Sequence, residues 1–356
     1  MIRKEQVSIY FKIMFTIALI LCLFVASLGQ DKGKTSINEA INKADELLEA
    51  ESKICVIEGK KICEQLLKDG RVKVGSMEEG YLYERIAFAD SRTGRGINWN
   101  HYKKALSIYE KVGSQVSRMR RAMILSELSQ SYNNKFCTEE ERKEGIRYLM
   151  EALNIIKKAP AHTETQASIL SQLAEQYYEL GKERIFLKDD QEALEQSNKT
   201  VALSYLKTAL EYDKKALILY EKVRDFSGQS TTLSNLGWDY LMINSDSKTV
   251  AVNYLKKAIE LSRKSNDKGA EIRALMSFGQ FYSYTKDTMS AESYYNEALN
   301  ASKQSNDKEW EQKIYWEFMK LYEDVDEEKA ASYEKLYRKL DTELETKDCV
   351  FTETIK

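Results

Sequence analysis

The sequence predicts an all-α chain, an α-solenoid (superhelix) of about six stacked helical hairpins with capping helices at its N-terminal end. Three observations predict it. The 356 residues include one proline and fifteen glycines, few breakers of a helix, while Ala, Leu, Glu, Lys and Gln are plentiful. One stretch reads as a complete hairpin. Leu275, Phe278, Gly279 and Tyr282 fall on one helical face, Ala291, Tyr295 and Ala298 on another, and Thr285-Lys286-Asp287-Thr288 allows a tight reversal between them. Gly279 stands where a neighbouring helix must come close. The third observation is that this order of large and small residues recurs along the chain.

Residues 1–29 read as a signal peptide. Arg3, Lys4 and Lys12 precede an apolar run from Ile13 to Val25, and Ala26-Ser27-Leu28-Gly29 puts small residues at −3 and −1 of a cut after Gly29. Export is therefore the expected location: periplasmic, cell-surface or secreted. The run from Ile13 to Gly29 is 17 residues, the lower edge of what spans a bilayer, so an uncleaved signal anchor is the alternative. Lipid attachment at Cys22 is disfavoured by the bulky Leu21 before it.

Residues 30–77 are expected to form a helical cap. Ile37, Ala40, Ile41, Ala44, Leu47 and Leu48 follow a helical period. Ser36 is its N-cap, and Glu39 completes a capping box. A second helix is expected from about Val56 to Leu67. Export makes Cys55, Cys63, Cys137 and Cys349 candidates for disulfides. On one continuous helix Cys55 and Cys63 would stand ~12 Å apart, too far for a bridge, so they pair only if the chain turns near Gly59. Buried or idle thiols are the other reading. No Cys-x-x-Cys or Cys/His spacing points to zinc.

From 78 to 345 the repeat dominates. First-helix sets are Tyr83, Ile86, Ala87; Leu125, Leu128, Ser129, Tyr132; Leu170, Leu173, Ala174, Tyr177; and Leu233, Leu236, Gly237, Tyr240. The Leu275 set follows, then Tyr315, Phe318, Met319, Tyr322. Asp90 replaces the tyrosine of the first set, and Met319 breaks the small-residue rule in the last, as suits a terminal unit. Second helices carry Asn98, Tyr102, Ala105; Gly145, Leu149, Ala152; Ala251, Leu255, Ala258; and the Ala291 set. Ser265-Asn266-Asp267-Lys268 is copied at Ser305-Asn306-Asp307-Lys308, each a helix-start signal.

These sets closely resemble the tetratricopeptide repeat (TPR) signature. The gaps between small positions 87, 129, 174, 237, 279 and 319 are 42, 45, 63, 42 and 40 residues, which resembles the long, roughly 42-residue variety. The 63-residue gap holds an extra 21 around 183–203. Either both helices of the third pair are extended, or a helix is inserted. Ala202, Leu206, Ala209 and Ala209, Asp213, Ala216 offer two competing registers there. Beyond Leu340 the period fades, and 346–356 is expected to be a disordered tail.

Composition and motifs exclude several functions. Basic residues number 54 and acidic residues 56, interspersed, for a net charge of −2 and no basic stripe, so nucleic acid is not an expected partner. The two histidines, His101 and His162, read as surface or cap residues. No His-Glu-x-x-His, Gly-x-Ser-x-Gly or P-loop occurs, and Gly94-Arg95-Gly96 reads as a loop. No catalytic residue, metal site or cofactor is expected.

The TPR resemblance implies instead that first helices line a concave groove, with residues offset from the buried anchors pointing into it. Those positions are Gln130, Glu175, Tyr178, Trp238, Met242, Arg273, Met276, Gln280, Tyr284 and Trp316. Trp238, Met242, Met276 and Tyr284 would make an apolar anchor pocket; burial of Trp238 and Met242 between repeats is the alternative. The family's best-known mode clamps a C-terminal carboxylate with Lys, Asn and Arg, whereas the fourth pair here offers Thr231, Ser234 and Trp238. The expectation is an exported, non-catalytic scaffold that binds a peptide or protein segment. A membrane-anchored sensory or regulatory input module is the second reading, and an enzyme of unrecognised type the third.

Overall fold

A computed structural model describes residues 36–50, 53–93, 99–133, 137–157, 162–186 and 192–353. The expected signal peptide, the Gly94-Arg95-Gly96 loop and Pro160 lie outside the described residues. Among the described residues there are fourteen α-helices, one short 3₁₀ turn and no strand, and successive helices pack against each other in pairs. The fold is an all-α, TPR-like solenoid. The chain divides into two compact units, 1–117 and 118–356.

In the first unit, α1 (Ile37–Glu49) pairs with α2 (Lys53–Lys68), and α3 (Met77–Arg92) with α4 (Trp99–Val112). The capping box forms as expected: Glu39 N donates to Ser36 Oγ (3.2 Å) and Ser36 N to Glu39 Oε2 (2.8 Å). Ala44, Leu48, Val56, Cys63, Leu82 and Ile86 are buried in one core. A Cβ on Gly59 would stand 2.8 Å from the Ala44 carbonyl, so this glycine sets the approach of α1 and α2. There is no turn at Gly59: Cys55 and Cys63 lie on one continuous helix and both are free. Burial pushes the Cys63 thiol up to about 12. Asp90 departs from the tyrosine of the other sets because it is an ion-pair partner; it is buried and accepts from Lys60 Nζ at 2.5 Å.

The second unit contains most of α5 (Gln115–Gln130), then α6 (Glu139–Ile156), α7 (Thr163–Phe186), α8 (Glu192–Val223) and α9 (Phe226–Ile243). After the 3₁₀ turn come α10 (Lys248–Ser265), α11 (Lys268–Tyr284), α12 (Thr288–Ser305), α13 (Lys308–Tyr322) and α14 (Glu327–Glu353). The copied tetrapeptides both end one helix and start the next. Asn266 and Asn306 cap α10 and α12 in the left-handed region at φ 56°. Asp267 and Asp307 then accept from Ala270 N (3.0 Å) and Trp310 N (3.1 Å) as N-caps.

The extra 21 residues lengthen both helices of the third pair. α7 has 24 residues and α8 has 32, against 17 and 18 in the fifth pair. The two competing registers are consecutive contacts of one helix: Ala202, Leu206, Ala209, Asp213 and Ala216 are all buried along α8. The extension has its own close approach, because a Cβ on Gly181 would meet Leu206 Cγ at 2.7 Å. It is also tied to α6. Arg142, 1% exposed, donates through Nε to Glu183 Oε1 at 2.8 Å, Arg184 pairs with Glu139, and Tyr205 donates to Glu139 Oε1 at 3.2 Å.

At the far end Tyr333 of α14 stacks on Phe318, ring centres 4.5 Å apart. α14 continues to Glu353, into the stretch expected to be a disordered tail; neither glycine nor proline interrupts it. Met319 is half-buried at this terminal contact. No helix of the described residues is long and apolar enough to cross a membrane.

Candidate functional site

α9, the first helix of the fourth pair, lies between α7 and α11, the first helices of the pairs on either side. Small residues at the anchor positions allow each first helix to sit close to its own second helix. A Cβ on Gly237, for example, would stand 3.1 Å from Leu255 Cγ of α10. The exposed stripes of α7, α9 and α11 then border a common pocket of ≈ 460 Å³. Glu175, Tyr178, Glu179 and Lys182 line it from α7, Asp213 from α8, Asn235, Trp238 and Asp239 from α9, and Ser277 and Gln280 from α11.

Four of the residues singled out from the sequence therefore meet in one place: Glu175, Tyr178, Trp238 and Gln280. Trp238 is half-buried, packed against the next pair on one side and open to the pocket on the other. Its indole N–H donates to Ser277 Oγ (3.0 Å) and its ring meets Phe281 and Tyr284 edge-on, at 6.4 and 6.0 Å between centres. The same side chain lines the pocket. Tyr284 is 50% exposed at its edge, and Met242 is half-buried. Gln280 donates to Glu317 Oε1 of α13 at 3.0 Å.

Met276 is a correction to the expected groove lining. It is 7% exposed and belongs to the core with Leu275 and Phe278. α11 has four neighbouring helices, α9, α10, α12 and α13, so its open stripe is narrower than an offset rule assumes, and Met276 falls under the covered side. Gln130 is exposed at the end of α5, outside the pocket. Arg273 is also exposed; its guanidinium lies 6.0 Å from the Trp310 ring centre and 3.9 Å from Asp267 Oδ2. Trp316 is half-buried against Tyr337, with the Lys320 ammonium over its ring at 5.2 Å.

The electrostatics of the pocket are acidic. Burial raises the Asp213 carboxyl well above its ordinary range, and the neighbouring Asp239 charge adds to the rise. Burial likewise raises Asp239, to about 8. Burial raises Glu175 too, opposed by its hydrogen bond with Asn133. More than a third of Glu175 stays open to water while protein walls surround its carboxyl, so solvent screening tempers this shift. Burial pushes the Tyr178 phenol upward, with the Glu179 and Asp239 charges acting in the same direction.

The sequence reading missed Asp213 and Asp239. Asp213 carried a signal, an acidic residue in a helix slot that other pairs fill with Leu255 or Tyr295. Asp239 carried none, since it sits between a groove position and an anchor tyrosine.

His101 lies in the first unit, stacked near Tyr83 (5.9 Å) and 3.8 Å from Asp90 Oδ2; burial lowers its pKa, opposed by Asp90. Among the described residues no group of three or more His, Cys, Asp or Glu is placed to hold a metal ion.

No family model matches the chain, and no curated protein does. Solved structures do. The apo form of RapI is 18% identical over 86% of this chain and 98% of its own, with a TM-score of 0.59. A Rap protein complexed with Competence and Sporulation Factor is 13% identical over 86% of this chain and 76% of its own, with a TM-score of 0.55. At these identities the likeness is one of fold, a TPR-like stack of helix pairs.

Proposed function

We propose that this protein is an exported, non-catalytic scaffold that holds a peptide or protein segment in the groove of α7, α9 and α11. One observation carries the reading. Trp238 is held by Ser277, Phe281 and Tyr284 at the pocket wall, so a large aromatic surface stands rigid beside a concavity that can receive a side chain. Pre-ordered aromatic anchors in a pocket are the usual centres of binding energy. That a protein of similar fold is complexed with Competence and Sporulation Factor supports the same reading.

Panning a random peptide library on the immobilised full chain tests it. The wild type enriches defined sequences, and a Trp238→Ala/Tyr284→Ala variant with unchanged far-UV circular dichroism enriches none. Equal enrichment by both proteins moves the binding surface elsewhere. Export rests on the leader-like residues Arg3 to Gly29. N-terminal sequencing of protein from its native source gives a start near Gln30 if the leader is cut. A retained Met1 supports the membrane-anchored input module instead, a reading favoured by the 17-residue apolar run.

A further inference from the structure

Asp213 and Asp239 line the groove pocket, and each is 1% exposed. Neither carboxylate oxygen of Asp239 has a donor other than the neighbouring Asp213 carboxyl, which can bond to it only while one of the two keeps a proton. Asp213 is approached by the Asn235 amide at 3.5 Å, the outer limit of such a bond. A buried carboxyl without a donor is costly, and in folded proteins such groups are paired or bind a cation.

The nearby cations are already engaged. Lys182 Nζ is 2.5 Å from Glu179 Oε1 and 5.5 Å from the centre of the Tyr178 ring. Lys214 sits over the Tyr240 ring at 5.3 Å. Glu175 and Glu179 join the pair, so four carboxyls and one lysine border the pocket, together with Trp238 and Tyr178. Carboxylates and aromatic rings share one complementary ligand, a cation.

We infer that this pocket receives a positively charged side chain of a bound peptide, an alkylammonium or guanidinium group. Asp213 and Asp239 are its counter-ions, and Trp238 and Tyr178 its aromatic walls. This rests on the groove being the peptide-binding surface proposed above. It reverses the polarity of a site built to clamp a peptide carboxylate.

Binding is linked to a proton. Two adjacent buried carboxyls cannot both ionise cheaply, and burial raises both above the ordinary carboxylate range, so below about pH 8 Asp239 holds its proton. Arrival of the cation favours the ionised form of Asp239, which releases its proton to solvent and leaves a carboxylate beside the positive group. Affinity therefore falls as pH drops below about 8, approaching tenfold per pH unit. The groups facing the pair are Glu175, Glu179 and Lys182 from α7, Lys214 from α8 and Asn235 from α9, with Gln280 completing the lining from α11.

The test pans the same peptide library at pH 8.5 on the full wild-type chain and on an Asp213→Asn/Asp239→Asn variant. The expected result is enrichment of Lys or Arg at one position on the wild type, lost on the variant while apolar neighbours remain selected. In a selected peptide, replacing that residue by Gln weakens binding to the wild type at least about tenfold and to the variant hardly at all. Wild-type enrichment without a basic residue overturns the inference and leaves the groove reading standing. Enrichment no better than on the Trp238→Ala/Tyr284→Ala variant overturns both. Displacement by free arginine or spermidine at the peptide's own concentration overturns the peptide origin of the cation. Should the Asn variant fail to fold, the Gln-substituted peptide and the pH dependence on wild type decide the matter.

Discussion

A methyl group placed on Gly279 would stand 2.4 Å from Cε1 of Tyr295, closer than carbon atoms come without something moving. Tyr295 cannot swing aside easily. It is fully buried, meets Phe318 edge-on at 5.4 Å and approaches Glu317 Oε2 at 3.3 Å through its hydroxyl. Glycine on α11 and tyrosine on α12 are thus one contact, the smallest side chain making room for a large one. Gly279→Ala should cost about 1–3 kcal/mol by overpacking. Gly279→Ala/Tyr295→Leu should recover part of that loss. Urea midpoints measure both, and an unmoved midpoint for the single variant would mean the two helices are not in this contact.

The lengthened third pair depends on Arg142 and Glu183. Arg142 is buried on α6, while the Glu183 side chain on α7 is about a third exposed. Glu183→Ala removes the carboxylate partner of a buried guanidinium that keeps its contacts with Tyr132 O (3.5 Å) and Asn133 Oδ1 (3.4 Å), which holds the cost to about 3 kcal/mol or less. Arg142→Met removes the charge itself and should be milder. Thermal melts of the two variants check the order; the reverse order would show that the pair contributes through packing of the arginine stem.

Groove and core residues on α11 should separate cleanly. Tyr284→Ala, at a half-exposed position, should leave stability within about 0.5 kcal/mol yet abolish peptide capture. Met276→Ala empties a core site and should cost about 2–5 kcal/mol, without removing any group that lines the pocket. Paired melting and binding measurements on both variants decide this.

The Asp239 carboxyl makes stability depend on pH. Its folded pKa, raised to about 8, exceeds the ordinary value of 3.8, so the folded state holds the proton more tightly than the unfolded chain. The resulting stability is fully present below pH 3.8, declines as pH rises towards about 8, and is flat above. Asp239→Asn removes this contribution and leaves that of the buried Asp213 carboxyl. The variant should therefore gain on the wild type between about pH 5 and pH 8 and keep a constant margin beyond. Melting temperatures across that range measure it, and parallel curves for the two proteins would contradict the buried charge.

Much of the architecture was readable because it is local and periodic. Gly279 against Tyr295, Ser36 with Glu39, and the Asn-Asp connections at 266–267 and 306–307 all rest on spacing within one helix, one turn or one hairpin. Four of the ten residues lining the pocket were readable for the same reason, since Glu175, Tyr178, Trp238 and Gln280 occupy repeated offsets on first helices. Met276 misled because an offset does not say how many neighbours a helix has.

Repeating side-chain size along the chain was enough to dictate helices, their pairing and the order of the pairs, since each choice involves residues a few turns apart. The meeting of Asp213 with Asp239 was not contained in any such spacing. One comes from a second helix whose length was ambiguous, the other from the next first helix, and their burial depends on how α7, α8 and α9 close around them. Charge in a protein interior is set by surroundings drawn from several helices at once, so only the tertiary structure could place two carboxyls there and leave Asp239 no donor beyond Asp213.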